Sequence, residues 1–236
     1  MGLDVYAGSL TRYYARDWET VIQKHARETG MSLNVIRPNE PEDIVTDPET
    51  IRAAVCRWRD NLSEALADNI SGPLDWDESP ESPYFTDKPA WDCYSSLLLW
   101  SAYLEHPDLV CPSACVEDVT TDEAYKRSSS KEFKTQYPSL LRNTEIWLPA
   151  DFHFTFAATD VSGNTVDFGS VIALRDELAK VNDRTWRADS ATLSAWRREG
   201  ADYLAPLEIG ARFAFAILYN LANAAAQHRL VMKLDY

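Results

Sequence analysis

The sequence lacks the short motifs that identify the most common enzyme classes. It has only eight glycines among 236 residues, and it contains no GxGxxG, GxxxxGKS/T, GxSxG or HExxH pattern. The HxE and PCxxC pair of the zinc deaminases is also missing. Because glycine-rich turns form the loops that hold phosphates, these absences argue against a nucleotide-binding fold. We therefore predict no cofactor.

Long hydrophobic runs are absent as well. The longest candidate, 209–218, is interrupted by Arg212, whereas a membrane span needs about 18 apolar residues in succession. The first residues show no basic stretch followed by an apolar run, so they do not resemble a secretory signal. We therefore expect a cytoplasmic protein that does not bind membranes, and we expect its four cysteines to be reduced thiols.

Positive charge is scarce, and negative charge is concentrated in one part of the chain. The net charge is −14. Residues 40–123, called the acidic segment below, contain twenty acids and four bases, so the remainder is close to neutral. Such a field repels nucleic acid and attracts cationic partners. Arg12 and Arg16 flank two tyrosines in a locally basic stretch, but two arginines do not outweigh this charge. We expect them to form salt bridges with the acidic segment, and we predict no nucleic-acid binding.

Large aromatic residues alternate with acids in the acidic segment, most densely in the loop 75–87. Carboxylates beside aromatic anchors would suit a basic protein partner, as an immunity protein or inhibitor binds a cationic enzyme. The alternative is a solvated loop whose aromatic side chains enter the core. The residues that we predict to bind the partner are Asp75, Trp76, Asp77, Glu78, Glu81, Tyr84 and Asp87.

The same carboxylates also allow a second hypothesis, a hydrolase with or without a divalent metal. Two carboxyl groups with different pKa values can carry out acid–base chemistry. Asp151 and His153 lie two residues apart, so on a strand they would share a face, which is either a functional face or a solvent-facing polar side. The hypothesis requires one concave pocket for Asp75, Asp77, Glu78, Asp87, Asp151 and His153.

The ligand types for a zinc site are present, but their spacing is unusual. His106, Cys111 and Cys115 lie close together in the sequence without forming a CxxC pair. The loop 75–87 is also a poor calcium loop, since its sixth residue is Pro80 where an EF-hand has glycine. We therefore predict no metal, with ordinary thiols as the simplest interpretation.

Hydrophobic periodicity predicts a single α+β domain over 1–236, with a small, mostly antiparallel sheet packed by several helices. Predicted helices span 17–29, 47–71, 87–105, 170–181, 189–200 and 207–227, with short helical pieces within 121–137. Predicted strands span 3–8, 33–36, 145–148, 152–156, 165–168 and 230–234. The segment 162–164 is a turn signal that joins two of these strands in a hairpin. The helix 87–105 is apolar around much of its circumference, so we expect it to be central.

Parts of the chain resemble a family of uncharacterised soluble bacterial proteins. The resemblance rests on MGLDVY at 1–6, LTRYY at 10–14, LDWDESP at 74–80 and YFTDKPAW at 84–91, and it covers most of the chain. It implies a bacterial cytoplasmic protein, and it implies no activity, cofactor or catalytic residue. The sequence carries no indication of the oligomeric state.

Overall fold

The computed structural model describes residues 3–32, 47–116, 118–202 and 205–236. The strand predicted at 33–36 lies outside these residues.

Within the described residues, six strands form one sheet. The strands are β1 (Asp4–Gly8), β2 (Phe85–Asp87), β3 (Thr144–Leu148), β4 (Phe156–Thr159), β5 (Thr165–Ser170) and β6 (Val231–Asp235). Their order is β2-β1-β6-β3-β5-β4, and the pairs are antiparallel except β3 with β5. The predicted α+β fold with a small, mostly antiparallel sheet is confirmed.

Six of the nine helices in the described residues begin after a residue whose side chain accepts a hydrogen bond from a free backbone N–H group. The helices are α1 (Leu10–Tyr14), α2 (Val21–Thr29), α3 (Pro48–Ala65), α4 (Trp91–Tyr103), α5 (Glu123–Ser129), α6 (Pro138–Leu141), α7 (Val171–Arg184), α8 (Ser190–Glu199) and α9 (Leu207–His228). Asp47, Ser170 and Asp189 cap α3, α7 and α8 as the sequence predicts. α2 starts later than predicted, because Thr20 rather than Asp17 accepts the capping hydrogen bond, in a capping box with Gln23.

Helices cover both faces of the sheet. On one face, α4, α7 and α9 pack on Val5, Trp147 and Met232. On the other face, α3 packs over Ile146 and Phe168. Each such fully buried side chain contributes about 1.5–3 kcal/mol relative to an exposed one. α4 is buried around most of its circumference and packs along α9, so the prediction of a central helix is confirmed.

Among the described residues, α9 is long and apolar enough to cross a membrane by length and composition. In this protein 56% of its apolar window is buried against other parts of the chain. It contacts α4, α7 and α8 as well as three strands. A core helix that is surrounded by other elements can be as long and as apolar as a membrane-spanning helix. The packing of α9 accounts for its apolar composition.

Several predicted boundaries are wrong. The helix predicted over 47–71 ends at Ala65, where the chain enters a turn. Only the end of the predicted strand 152–156 is a strand, since the ladder with β5 begins at Phe156, opposite Phe168, and the residues before it are unpaired. The aromatic rings still cluster, since those of Phe152 and Phe154 lie 4.9 Å apart. The loop predicted between Leu74 and Pro89 contains β2, which pairs with β1 at the edge of the sheet. α4 begins at Trp91 rather than near Asp87.

Ala90 occupies a backbone conformation that is almost restricted to glycine. Its φ of 61° and ψ of 151° lie at the N-terminus of α4, directly after β2 and the buried Pro89. A side chain in this region costs about 1–3 kcal/mol, which the surrounding packing must offset. The residue turns the chain from the edge strand into the central helix, so the strain lies at a junction on which both elements depend.

A buried carboxyl group, that of Glu177, closes the start of α6. The side chain is 4% exposed. Its two oxygens accept hydrogen bonds from the backbone N–H groups of Ser139 and Leu140, at 3.1 and 3.0 Å. Burial raises the pKa of Glu177 to about 8, although both N–H donors favour the charged form. Glu177 therefore links α7 to the short helix α6 and carries a proton at neutral pH.

We expect the substitution Ala90→Gly to stabilise the protein by about 1 kcal/mol, because glycine adopts this conformation without steric strain. The measurement is the free energy of unfolding in urea. The matched control is Ala54→Gly on the exposed side of α3, which we expect to destabilise the protein by about 1 kcal/mol. A loss of stability in both variants would contradict the assignment of strain to Ala90.

We expect Glu177→Gln to change how stability depends on pH. Between pH 4.5 and about 8 the unfolded chain loses this proton while the folded chain keeps it, so the contribution of Glu177 to stability falls as pH rises. Above the folded pKa the contribution levels off. Glutamine removes this titration, so the difference in unfolding free energy between the two proteins should shift steadily across this window. Parallel pH profiles of the two proteins would show that the pKa is not raised.

Candidate functional site

The first part of the predicted partner loop lies along α3 as an extended segment. The backbone N–H of Leu74 donates to the hydroxyl of Ser63 at 2.9 Å, and a guanidinium N–H of Arg59 donates to the carbonyl of Trp76 at 2.8 Å. The chain therefore runs antiparallel to the helix. Leu74 and Trp76 are buried, while Asp75 and Asp77 are exposed. The alternation places both aspartates in solvent.

Unlike Asp75 and Asp77, Glu78 is buried, with 4% of the residue exposed. It accepts hydrogen bonds from the backbone N–H groups of Leu10 and Thr11, at 3.0 and 2.7 Å, at the start of α1. The indole N–H of Trp76 donates to the same carboxylate. Three donors replace the water that the charge loses on burial. Glu78 is therefore a structural group that holds the loop to α1.

Arg12 of α1 fixes the next part of the loop. Its guanidinium donates to the backbone carbonyls of Ser82, at 2.8 Å, and of Pro80. It also lies 4.9 Å from the ring centre of Tyr84. Arg12 thus contacts the acidic segment mainly through carbonyl groups and a ring, whereas the sequence predicted salt bridges to its acids. Glu78 of the loop accepts hydrogen bonds from the backbone of α1, and Arg12 of α1 donates hydrogen bonds to the backbone of the loop.

The predicted partner residues divide into exposed and buried groups. Asp75, Asp77 and Glu81 are exposed, and Tyr84 is half-buried. The buried members are Trp76, Glu78 and Asp87. Asp87 forms an ion pair with Arg197 of α8. These three side chains have neighbours inside the protein and are not exposed on its surface. Trp76 fits the alternative interpretation, in which aromatic side chains of the loop enter the core.

The structure does not bring the six residues of the hydrolase hypothesis into one pocket. Asp75, Asp77 and Glu78 line one cleft. Asp87 lines a different cavity. Asp151 and His153 lie just before β4, 3.6 Å from each other, with side chains 73% and 74% exposed. They line none of the cavities to which the loop contributes, because the strand expected to carry them toward the loop starts only at Phe156.

The candidate zinc ligands are also separate. His106 is buried, and its ring nitrogen lies 3.0 Å from the hydroxyl of Ser128. Cys111 is exposed, and burial raises the pKa of Cys115, which disfavours the thiolate that binds zinc. In the part of the chain that the structure describes, no group of three His, Cys, Asp or Glu side chains could hold a metal ion.

The cleft beside the extended segment contains several arginines and is called the arginine cleft below. Its volume is about 470 Å³. It is lined by Arg52, Cys56, Arg59, Asp75, Trp76, Asp77, Glu78, His228 and Arg229. Sequence reasoning missed this site because Arg229 follows α9, far from α3 in the sequence. The seven-residue spacing of Arg52 and Arg59, two turns of one helix face, was the only available signal.

Arg229 is held over the cleft at a conformational cost. Its backbone is left-handed, with φ of 54° and ψ of 53°, at the end of α9. Such a conformation costs about 1–2 kcal/mol for a residue other than glycine. Its guanidinium donates to the carbonyl of Asp75 at 2.9 Å. This contact ties the end of α9 to the extended segment and directs the positive group toward the cleft.

A group of exposed carboxylates borders the extended segment, and we call it the acidic face. Its members are Asp60, Glu64, Asp68, Asp75, Asp77 and Glu81. Asp60 and Glu64 line a second depression of about 500 Å³ beside Leu74. Asp60 lies 3.7 Å from Arg59. Between described residues, no other member of this face forms an ion pair. Among the residues that the structure describes, the other five carboxylates therefore have no ion-pair partner.

Comparisons with known proteins give no guide to this site. No family model, curated protein or solved structure matches the chain. The resemblance to soluble bacterial proteins stays a prediction. The function must therefore be inferred from the chemistry of the acidic face and the arginine cleft.

We expect Glu78→Gln to destabilise the protein by about 2 kcal/mol, because the amide NH₂ would face a backbone N–H of α1 and leave that donor without an acceptor. The measurement is urea unfolding at neutral pH. The control is Glu81→Gln, which removes the same charge from an exposed position and should change stability by less than about 0.5 kcal/mol. Equal effects of the two substitutions would mean that net charge, and not the buried hydrogen bonds, determines stability here.

Proposed function

We propose that the protein is a non-enzymatic binding protein whose acidic face docks a basic protein partner. The observation that carries the proposal is the set of five exposed carboxylates that have no ion pair between described residues. Like charges on one surface repel each other. A cationic partner would neutralise them, which makes this surface more favourable in a complex than in the free protein.

The surface is held firmly enough to act as a docking site. Asp75 and Asp77 project from a segment whose alternate residues, Leu74 and Trp76, are buried. Asp60 and Glu64 lie one helical turn apart on α3, whose opposite side packs in the core. Because the charged groups are on an anchored backbone, association requires little ordering of the chain.

Charge rather than aromatic contact would dominate the association. Trp76 is 4% exposed, so the large aromatic anchor predicted for this surface is not available to a partner. Tyr84 is half-buried and partly covered by Arg12. An interface that depends on exposed charges is steered over long distances and weakens as salt screens those charges.

The hydrolase alternative has less support from the geometry. Its six residues lie in different places, and Glu78 is fully engaged with three donors. Asp75 and Asp77 are exposed carboxylates on either side of a buried tryptophan.

Neutralising the acidic face should weaken binding of a cationic probe. We expect the triple variant Asp60→Asn, Glu64→Gln, Asp68→Asn to bind an oligolysine peptide about tenfold more weakly than the original protein, since each exposed ion pair contributes about 0.2–1 kcal/mol. The measurement is isothermal titration calorimetry at low salt, repeated at high salt, where binding should be strongly reduced.

The matched control removes three exposed acids elsewhere, by Glu132→Gln, Asp183→Asn and Glu199→Gln. Both triple variants have the same net charge, so they separate a local surface from total charge. The control should retain most of the affinity. If the two triple variants bind equally well, or if binding does not depend on salt, the acidic face is not a docking site.

A further inference from the structure

The arginine cleft concentrates positive charge on a protein of net charge −14. Arg52 and Arg59 come from one face of α3, and Arg229 comes from the residue that follows α9. Two elements that are far apart in the sequence therefore bring three guanidinium groups to one cleft of about 470 Å³. A cavity of this size is typical of small-molecule sites.

The protein orients the three guanidinium groups, and among the described residues their one ion pair is the 3.7 Å contact of Arg59 Nε with the exposed carboxylate of Asp60. Arg59 lies 5.4 Å from the ring centre of Trp76 and donates to its carbonyl. Its buried Nε makes no hydrogen bond within the described structure. Arg229 donates one N–H to the carbonyl of Asp75. Both contacts fix a guanidinium group while leaving other N–H donors unused.

Arg52 has no hydrogen bond or ion pair with any residue that the structure describes, although it is partly buried. Asp75 and Asp77 line the same cleft, yet neither lies within ion-pair distance of an arginine. The arginines therefore do not serve to hold these acids in place. Their positions leave a concentration of unsatisfied, charged N–H donors around a cavity.

We propose that the arginine cleft binds an oxyanion group, a carboxylate or a phosphate, of a small molecule. Guanidinium groups present paired N–H donors that match the oxygens of both groups. The unoccupied donors of Arg52 and Arg59 would face the oxyanion, and Arg229 would close the site from the end of α9. Asp75 and Asp77 at the same cleft oppose further negative charge, so the remainder of the ligand is neutral or cationic. The site shares Asp75 and Asp77 with the acidic face, but the groups that bind the oxyanion are the arginines.

A cysteine inside the cleft provides a local readout. Cys56 lines the arginine cleft and is partly exposed, while Cys111 is exposed and lies outside it. The experiment measures the rate of alkylation of each thiol by iodoacetamide, by peptide mass spectrometry. The probes are inorganic phosphate and acetate at constant ionic strength, with chloride as the reference anion. We expect at least one probe to slow alkylation of Cys56 and to leave Cys111 unchanged.

Substitutions of single arginines test whether the protection of Cys56 arises in the arginine cleft. We expect Arg52→Gln to require about tenfold more probe for the same protection of Cys56, because one charge-assisted contact is lost. Arg229→Gln should act in the same direction. Arg57→Gln is the matched control, since Arg57 is exposed on the same helix but does not line the cleft. It should leave protection unchanged. Arg52 makes no contact that folding requires, and circular dichroism would verify that the variant is folded.

The outcomes are distinct. Protection by phosphate alone, by acetate alone or by both supports the proposal and identifies the oxyanion. The proposal fails if neither probe protects Cys56, if Arg52→Gln leaves protection unchanged, or if Arg57→Gln reduces it equally. The double variant Glu64→Gln, Asp68→Asn leaves the ion pair of Arg59 with Asp60 intact and should retain the protection, so a failure here does not bear on the acidic face.

Discussion

The burial of one carboxylate, that of Glu78, is the interaction on which the rest of the candidate site depends. The backbone donors of Leu10 and Thr11 and the indole of Trp76 hold it in place. A charge in the interior is tolerated only with such donors, each contributing about 1.5–3 kcal/mol. Because Glu78 is fixed, Trp76 is fixed beneath Arg59, and Asp75 and Asp77 are directed outward. The acidic face and the arginine cleft therefore share one support.

Two groups of opposite charge meet at the segment 74–78. Asp60 and Glu64 of α3 line a depression beside Leu74, while Arg52 and Arg59 line the arginine cleft. Each group of like charges creates its own local field. The segment thus contributes Asp75 and Asp77 both to a surface suited to cationic groups and to the rim of a cavity suited to anionic ones. The net charge of the chain alone would indicate only the surface suited to cationic groups.

The sequence predicted most helices because their start signals are local. Asp47, Ser170 and Asp189 act within three residues of themselves, so the sequence contains the whole interaction. The strand predicted at 152–156 is mostly wrong because alternation along one segment does not show where its ladder with another strand begins, and here that ladder begins at Phe156. Three of the seven predicted partner residues, Trp76, Glu78 and Asp87, are buried, which local alternation also does not show. The donors that bury Glu78 lie 67 and 68 residues away, and no local pattern reveals them.

The position of β6 has a consequence for how the protein acquires its structure. β6 lies between β1 and β3, so it joins a two-stranded unit formed by β1 and β2 to a three-stranded unit formed by β3, β5 and β4. Its partner β1 comes from the opposite end of the sequence, which gives the sheet a high contact order and slows folding. During synthesis, β1 and β3 both keep a free edge until β6 leaves the ribosome. Unpaired edges recruit other chains, so the nascent protein is most vulnerable to aggregation just before its central strand appears.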